Sequence, residues 1–279
     1  MSTTISVLAP AKLNLFLHIV GRREDGYHLL QSVFVLLDMG DSLTFTPRQD
    51  GVVRRTSTLP GVDEKDDLVV RAALKLKRAA NADPSLGVDI AVEKRIPMGA
   101  GLGGGSSDAA ATLQALDQLW GLRFGPEKLA ALGLKLGADV PFFLFAENAF
   151  VEGIGERLQA VDIPRWWYLV LTPAVHVPTV AVFTHPELTR DSIPIRIADF
   201  SAVRLRDYRN DMQAVVLKMF PEVLAALSAL QAVCQKSVFG ARMTGSGACV
   251  FAAFDCEQHA RDAFQRLPPQ HQGFIASTR

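Results

Sequence analysis

Residues 97–108 read Pro-Met-Gly-Ala-Gly-Leu-Gly-Gly-Gly-Ser-Ser-Asp, which puts Gly99, Gly101, Gly103, Gly104 and Gly105 within seven positions. Val88 to Lys94 alternates as a strand and ends at Pro97, and Ala109, Leu113, Leu116 and Trp120 then share one face of a helix. A strand, a glycine loop and a helix follow in order. Glycines let the backbone turn to positive φ and come close to a ligand. Successive N–H groups can then face one concavity, and the positive end of the helix adds to their pull on an oxyanion. The Ser106 and Ser107 hydroxyls are placed to hydrogen-bond a phosphate or reach a magnesium ion. A helix cap after a flexible turn would need far fewer glycines. The loop lacks the Gly-Lys-Ser/Thr ending of a Walker A sequence. Gly99, Gly101 and Gly104 satisfy the dinucleotide pattern, but Pro97 interrupts the entry and the segment after α-helical residues 109–120 looks helical again.

The rest of the chain divides into blocks. Ser6–Val20 reads as a strand broken at Pro10, and Gln31–Leu37 and Ser42–Thr46 as strands joined by a turn at Asp38–Asp41. Helical spacing covers Leu68–Ala80 and Glu127–Leu136, and Ala138–Phe145 is a short apolar segment. Strands at Ala149–Glu152 and Trp167–Thr172, a helix near Val180 and one long helix over Asn210–Gln235 follow. Arg242–Phe254 reads as strands around a glycine turn, before a helix at His259–Arg266 and a strand at Gly273–Ser277. Residues 190–209 mix Arg and Asp and read as a solvated loop. Strands and helices in blocks, without strict alternation, predict an α+β protein in two domains, 1–155 and 156–279.

Three further motifs could carry chemistry. Lys12 and Asn14 lie two apart in the apolar run APAKLNL, so they face the same side of a strand. That lysine is either a snorkelling edge residue or a buried cation with a partner. Asp139, in Gly-Ala-Asp-Val-Pro-Phe-Phe, is either a cap or a base. Gly245-Ser246-Gly247 is either a plain hairpin turn or a place where a ligand comes close to the backbone.

Taken together these stretches resemble the GHMP kinase superfamily, named after galactokinase, homoserine kinase, mevalonate kinase and phosphomevalonate kinase. APAKLNLFLHIVGRREDGYHLLQSVF is similar to its first motif, PMGAGLGGGSSDAAATL to its phosphate loop, LGADVPFF to the stretch with its aspartate, and RMTGSGACVFAAF to its third motif. The resemblance covers nearly the whole chain. DGYH and GADVPFF narrow it to a branch that uses ATP to phosphorylate a hydroxyl of a cytidine-diphosphate sugar alcohol, cytidine-diphosphate methylerythritol.

The resemblance implies a two-domain fold: an N-terminal domain like ribosomal protein S5, a C-terminal ferredoxin-like α/β sandwich, and an active site in the cleft between them. It implies that Lys12 and Asp139 are the catalytic pair, with Lys12 holding Asp139 ionised so that it accepts the hydroxyl proton. ATP would lie on Pro97, Met98, Gly99, Ala100, Gly101, Leu102, Gly103, Gly104, Gly105, Ser106, Ser107 and Asp108, with Lys94 nearby. Asn14 would orient the methylerythritol hydroxyls, Tyr27 and His28 would bind cytosine, and Thr179 and Phe183 would form a further wall. Gly245, Ser246 and Gly247 would approach the substrate diphosphate. Mg2+ is expected to ride mainly on ATP, and no metal-ligating residue is assigned.

Two rival functions share the loop. A kinase for another alcohol, such as mevalonate, would not need Gly26-Tyr27-His28. A sensor that has lost its chemistry need not keep both Lys12 and Asp139. The 29 basic and 29 acidic residues balance to a net charge of zero, which argues against nucleic-acid or membrane binding through a broad basic surface. Cys234, Cys249 and Cys256 are too few for a disulfide framework, and a metal site from Cys249, Cys256 and His259 lacks a fourth ligand. The first residues lack a basic segment and an apolar run, and no stretch of about 18 apolar residues occurs. The expectation is a cytoplasmic monomer or weak homodimer.

Overall fold

The computed structural model describes residues 4–81 and 83–279. The chain forms two compact units that interleave along the sequence: one takes in residues up to Ala11, Met39–Ile96 and Gly103–Ala146, the other Lys12–Asp38, Pro97–Leu102 and Glu147–Arg279.

The first unit takes the beginning of β1 (Ile5–Arg22) and the second half of β2 (His28–Arg48). Pro10 does not break β1. Among the described residues the strand's sheet partner is β2, with one further bridge, Leu17 to Asn210, well past the proline, so the missing N–H falls where no further ladder needs it. The expected turn at Asp38–Asp41 is also absent, and β2 runs straight through it. Its turn-forming residues are used otherwise. Asp38 accepts from the Ser277 amide and hydroxyl, both at 2.8 Å. Gly40 lets the Ala9 carbonyl pass where a Cβ would stand 2.2 Å from it. Asp41 accepts from the amides of Arg95 and Ile96 at 2.6 and 2.8 Å.

β3 (Val53–Arg55) runs parallel to β4 (Gly87–Glu93), which pairs antiparallel with Ser42–Arg48 of β2. Between them, Asp67 caps α1 (Leu68–Ala79) by accepting from Val69 N at 3.0 Å, and it pairs with Arg55 at 2.5 Å. α1 buries Val69, Val70, Ala73 and Leu76, each Val or Leu contributing about 1.5–3 kcal/mol. It packs on α2 (Gly104–Leu119). α3 (Pro126–Leu134) starts with proline in its first turn, and α4 (Val140–Phe145) buries Phe142 and Phe143.

In the second unit, Ser32–Phe34 of β2 pairs antiparallel with β5 (Ala149–Glu152), which pairs with β6 (Arg157–Ala160), a strand too polar to stand out in the sequence. A separate antiparallel sheet has the order β10-β7-β9-β8, from β7 (Trp167–Leu171), β8 (Arg242–Met243), β9 (Val250–Phe254) and β10 (Gly273–Ser277). Helices α5 (Thr179–Thr184), α6 (Gln213–Met219), α7 (Pro221–Val233) and α8 (Glu257–Gln265) complete the unit. Leu169, Val216, Val223, Leu230, Val250 and Ala260 share its core. The single helix expected over Asn210–Gln235 is two, bent by 119°. Pro221 supplies no N–H and forces Phe220 out of helical geometry, to φ −131° and ψ 91°. Among the described residues no single helix is long and apolar enough to cross a membrane.

Residues 190–209 are only partly solvated. They form two short 3-10 turns, Ile197–Asp199 and Ala202–Asp207, and Leu205 and Tyr208 are buried. The Arg209 carbonyl accepts from Leu17 N at 3.0 Å, and Asp211 accepts from Ile19 N at 2.7 Å.

Candidate active site

In the second unit, β1 turns Lys12, Asn14, Phe16 and His18 to one side by simple alternation. Lys12 is 4% exposed and Asn14 1%, so the lysine is a buried cation and not a snorkelling edge residue. Lys12 Nζ donates to Asn14 Oδ1 at 2.5 Å and lies 4.6 Å from the centre of the Phe34 ring. The Asn14 side-chain amide donates to Ser32 Oγ at 3.1 Å, and its backbone N–H to Thr244 Oγ1 at 2.9 Å. Each polar atom in this chain of contacts has a partner, which is what burial requires. Ser32 and Thr244, to which no motif assigns a role, hold Asn14 in one orientation.

The glycine motif around 245 is more than a hairpin turn. Asn210 donates its side-chain amide to the carbonyls of Met243 and Gly245 at 3.0 and 2.8 Å, and Thr179 and Ser246 share a hydroxyl contact of 2.8 Å. The first part of the phosphate loop lies against this turn. A Cβ on Gly101 would meet the Thr244 carbonyl at 2.4 Å, the Cys249 N–H donates to Ala100 O at 3.2 Å, and Lys12 N–H donates to Leu102 O at 3.0 Å. Met98 is exposed.

In the first unit, Gly103 stands at the N-terminus of α2 with φ 74°, a left-handed conformation that glycine adopts without steric cost. Lys94 bonds Asp41 and also Asp108, the latter at 2.7 Å. Burial pushes the Asp108 carboxyl up to about 7, and Asp41 adds to the shift while Lys94 opposes it. Burial works to lower the Lys94 pKa, but the two carboxylates outweigh it and the net shift is upward. A cation between two acids stays charged, and Asp108 is where a proton enters the cluster. Ser107 Oγ and Asp108 Oδ1 are buried with no hydrogen-bond partner among the described residues. Buried polar atoms without partners at a helix N-terminus behind a glycine loop fit an anionic ligand with its cation. Asp139 occupies the N-cap position of α4, but its side chain makes no capping bond. Capping is therefore not what the residue does.

His28 stacks on Phe183 in the second unit, with ring centres 4.8 Å apart and planes 21° from parallel. Tyr27 beside it is 60% exposed. Lys12 belongs to the second unit and Asp139 to the first. Cys249, set aside above as a metal ligand, is fully buried, its thiol pushed up to about 12 by desolvation. The side chains with ligand atoms within 4.8 Å of one another are instead Asp255, Cys256 and His259.

Residues 67–147 match the model of the GHMP kinases N terminal domain, and residues 196–271 that of the GHMP kinases C terminal domain. The chain is 56% identical over 278 residues to the 4-diphosphocytidyl-2-C-methyl-D-erythritol kinase of Burkholderia mallei (strain SAVP1), covering 97% of this chain and 92% of the relative. This chain belongs to the GHMP kinase family.

A second such GHMP kinase, 4-diphosphocytidyl-2-C-methyl-D-erythritol kinase of Nitrosomonas europaea, is 54% identical over 269 residues, covering 96% of this chain and 95% of the relative. A crystal structure of 4-(cytidine 5'-diphospho)-2C-methyl-D-erythritol kinase superposes with a TM-score of 0.83 at 35% identity, covering 98% of both chains. The chain is α+β, with a mixed sheet and a four-stranded antiparallel sheet, and has the N- and C-terminal domains of the GHMP kinase fold.

Proposed function

We propose that this GHMP kinase transfers the γ-phosphoryl group of ATP to the 2-hydroxyl of 4-diphosphocytidyl-2-C-methyl-D-erythritol, in the methylerythritol phosphate route to isoprenoids. Relatives of that name at 54–56% identity support the reading. The observation that carries it is the stack of His28 on Phe183. Two distant segments that the resemblance implies for one cytidine pocket, Gly26-Tyr27-His28 and Thr179–Phe183, meet in the folded chain. A kinase for a small alcohol without a base has no use for such a wall.

In this reading Asp139 takes the proton of the 2-hydroxyl as its oxygen attacks the γ-phosphorus and the bond to the β,γ-bridging oxygen breaks, releasing ADP. Lys12 offsets charge that develops on the transferred group. Asn14, fixed by Ser32 and Thr244, orients the methylerythritol hydroxyls. The amides of 97–108 hold the triphosphate, with Lys94 beside it, and Gly245, Ser246 and Gly247 approach the substrate diphosphate. Mg2+ enters on ATP, and the Ser106 or Ser107 hydroxyl is the group on this chain suited to reach it. Its partners are these two small molecules, with no nucleic acid or membrane, and it works in the cytoplasm as a monomer or weak homodimer. The family halves are 1–155 and 156–279, with one matched model in each.

The direct test compares ATP-dependent turnover of cytidine-diphosphate methylerythritol with that of mevalonate. Preference for the cytidine compound is expected, and faster use of mevalonate overturns the assignment.

A further inference from the structure

Arg190 lies in no motif, yet it touches both His28 and the Phe183 segment. Its guanidinium donates through Nη2 to the carbonyls of Phe183 and His185 at 2.9 and 2.8 Å, and through Nη1 to Leu188 O at 2.9 Å. These bonds fix the end of α5, and with it the Phe183 ring. The remaining donor, Nε–H, points to His28 Nε2 at 3.2 Å. A guanidinium has donors only and is always protonated. The His28 nitrogen that faces it must therefore keep its lone pair. An imidazolium, with a hydrogen on each nitrogen, cannot make this bond, and neither can the tautomer protonated at Nε2. What remains is the neutral ring with its hydrogen on Nδ1. Burial, Arg190 and Arg22 all press His28 the same way, lowering its pKa from 6.5.

We propose that Arg190 is a positioning residue that locks His28, flat on Phe183, as the neutral Nδ1–H tautomer, so that the pocket offers a base a hydrogen-bond donor and no charge. The proposal rests on the assignment of this wall to the cytidine moiety. The bases share an acceptor at O2 and differ at position 3, where cytosine has an acceptor that such a donor satisfies and uracil has a hydrogen that sets donor against donor. Without Arg190 the imidazole is free to exchange tautomers and to protonate more readily, and its selectivity for an acceptor edge falls.

The test reads the tautomer directly, with no ligand present. Long-range 1H–15N correlation of the full chain, with the His28 signals assigned from His28→Gln, is expected to show the Nδ1–H pattern and a pKa below 6.5. In Arg190→Met the pattern is expected to become mixed and the pKa to rise. The same variant is expected to raise KM for cytidine-diphosphate methylerythritol about tenfold, the worth of one hydrogen bond. Its kcat should change by less than about twofold, because the chemistry is untouched. KM for ATP should not move, and the preference over the uridine analogue should fall. An Nε2–H ring in the wild type, or an unchanged Nδ1–H ring in Arg190→Met, overturns the lock. A lock that is present while KM and the cytidine preference stay put overturns its role in base recognition. Wild-type turnover, run alongside, reports separately on the kinase assignment. If Arg190→Met does not fold, the wild-type spectrum and Arg190→Lys, which keeps charge without the planar fork, decide the question.

Discussion

Gly101 faces the carbonyl oxygen of Thr244 so closely that an added methyl carbon would lie 2.4 Å from it, and 3.1 Å from the carbonyl oxygen of Gly247. Both obstacles are backbone, so no rotamer change relieves them. Gly101 also has φ +78°, a left-handed conformation that costs an L-residue about 1–2 kcal/mol before any clash. Gly101→Ala is therefore expected to lose at least about 2 kcal/mol of stability, measured by denaturant unfolding, and to raise KM for ATP. An unmoved unfolding midpoint would mean that the two turns are not packed as described.

Asp139→Asn keeps the shape of the side chain and removes the proton acceptor. The expected result is nucleotide binding close to wild type, with kcat down by about 10²- to 10⁴-fold, the usual share of general base catalysis. Binding by calorimetry and steady-state rates separate the two. Near-normal turnover would exclude Asp139 as the base.

Asp108 is raised to about 7 in the folded protein by burial, against about 3.9 for an unperturbed aspartate. Between those values the folded state holds a proton that the unfolded state has released, so this group's contribution to stability falls as pH rises through the window. Asp108→Asn cannot titrate. Its melting temperature relative to wild type is expected to climb from about pH 5 to about pH 8, whatever constant offset the lost bond to Lys94 imposes. A difference that is the same at every pH would show that Asp108 does not titrate there.

Tyr27 is exposed beside the His28–Phe183 stack, where its ring is available to a bound base. Tyr27→Ala should raise KM for the cytidine substrate about tenfold and leave KM for ATP alone. Equal losses for both ligands would place Tyr27 elsewhere.

What could be read in advance was local. The glycine loop, the Lys12–Asn14 alternation and most helices depend on spacings of a few residues, and they formed as expected. The misreadings at Pro10 and Asp38–Asp41 came from residues whose local preference is overridden by distant partners. Asp38 bonds Ser277, Asp41 bonds the Arg95 and Ile96 amides, and Gly40 gives way to Ala9. Arg190 was hidden for the same reason: its meaning lies in a contact with His28, 162 positions away. Asp108 looked like one more polar residue after the loop, because nothing short-range reveals that it will share Lys94 with Asp41. Pro221 was different. Its signal was local and its effect on Phe220 followed from ordinary proline sterics.

β1 finds its sheet partner at once in β2, but some contacts wait for chain that is synthesised much later: Leu17 with Arg209, Ile19 with Asp211, and, on β2, Asp38 with Ser277. On the ribosome, Leu17 and Ile19 emerge early, while the core they share with Leu169, Val216, Val223 and Leu230 is completed only when those downstream residues arrive. Such a nascent chain is expected to depend on holding chaperones, and to settle its second unit only after translation has passed residue 277.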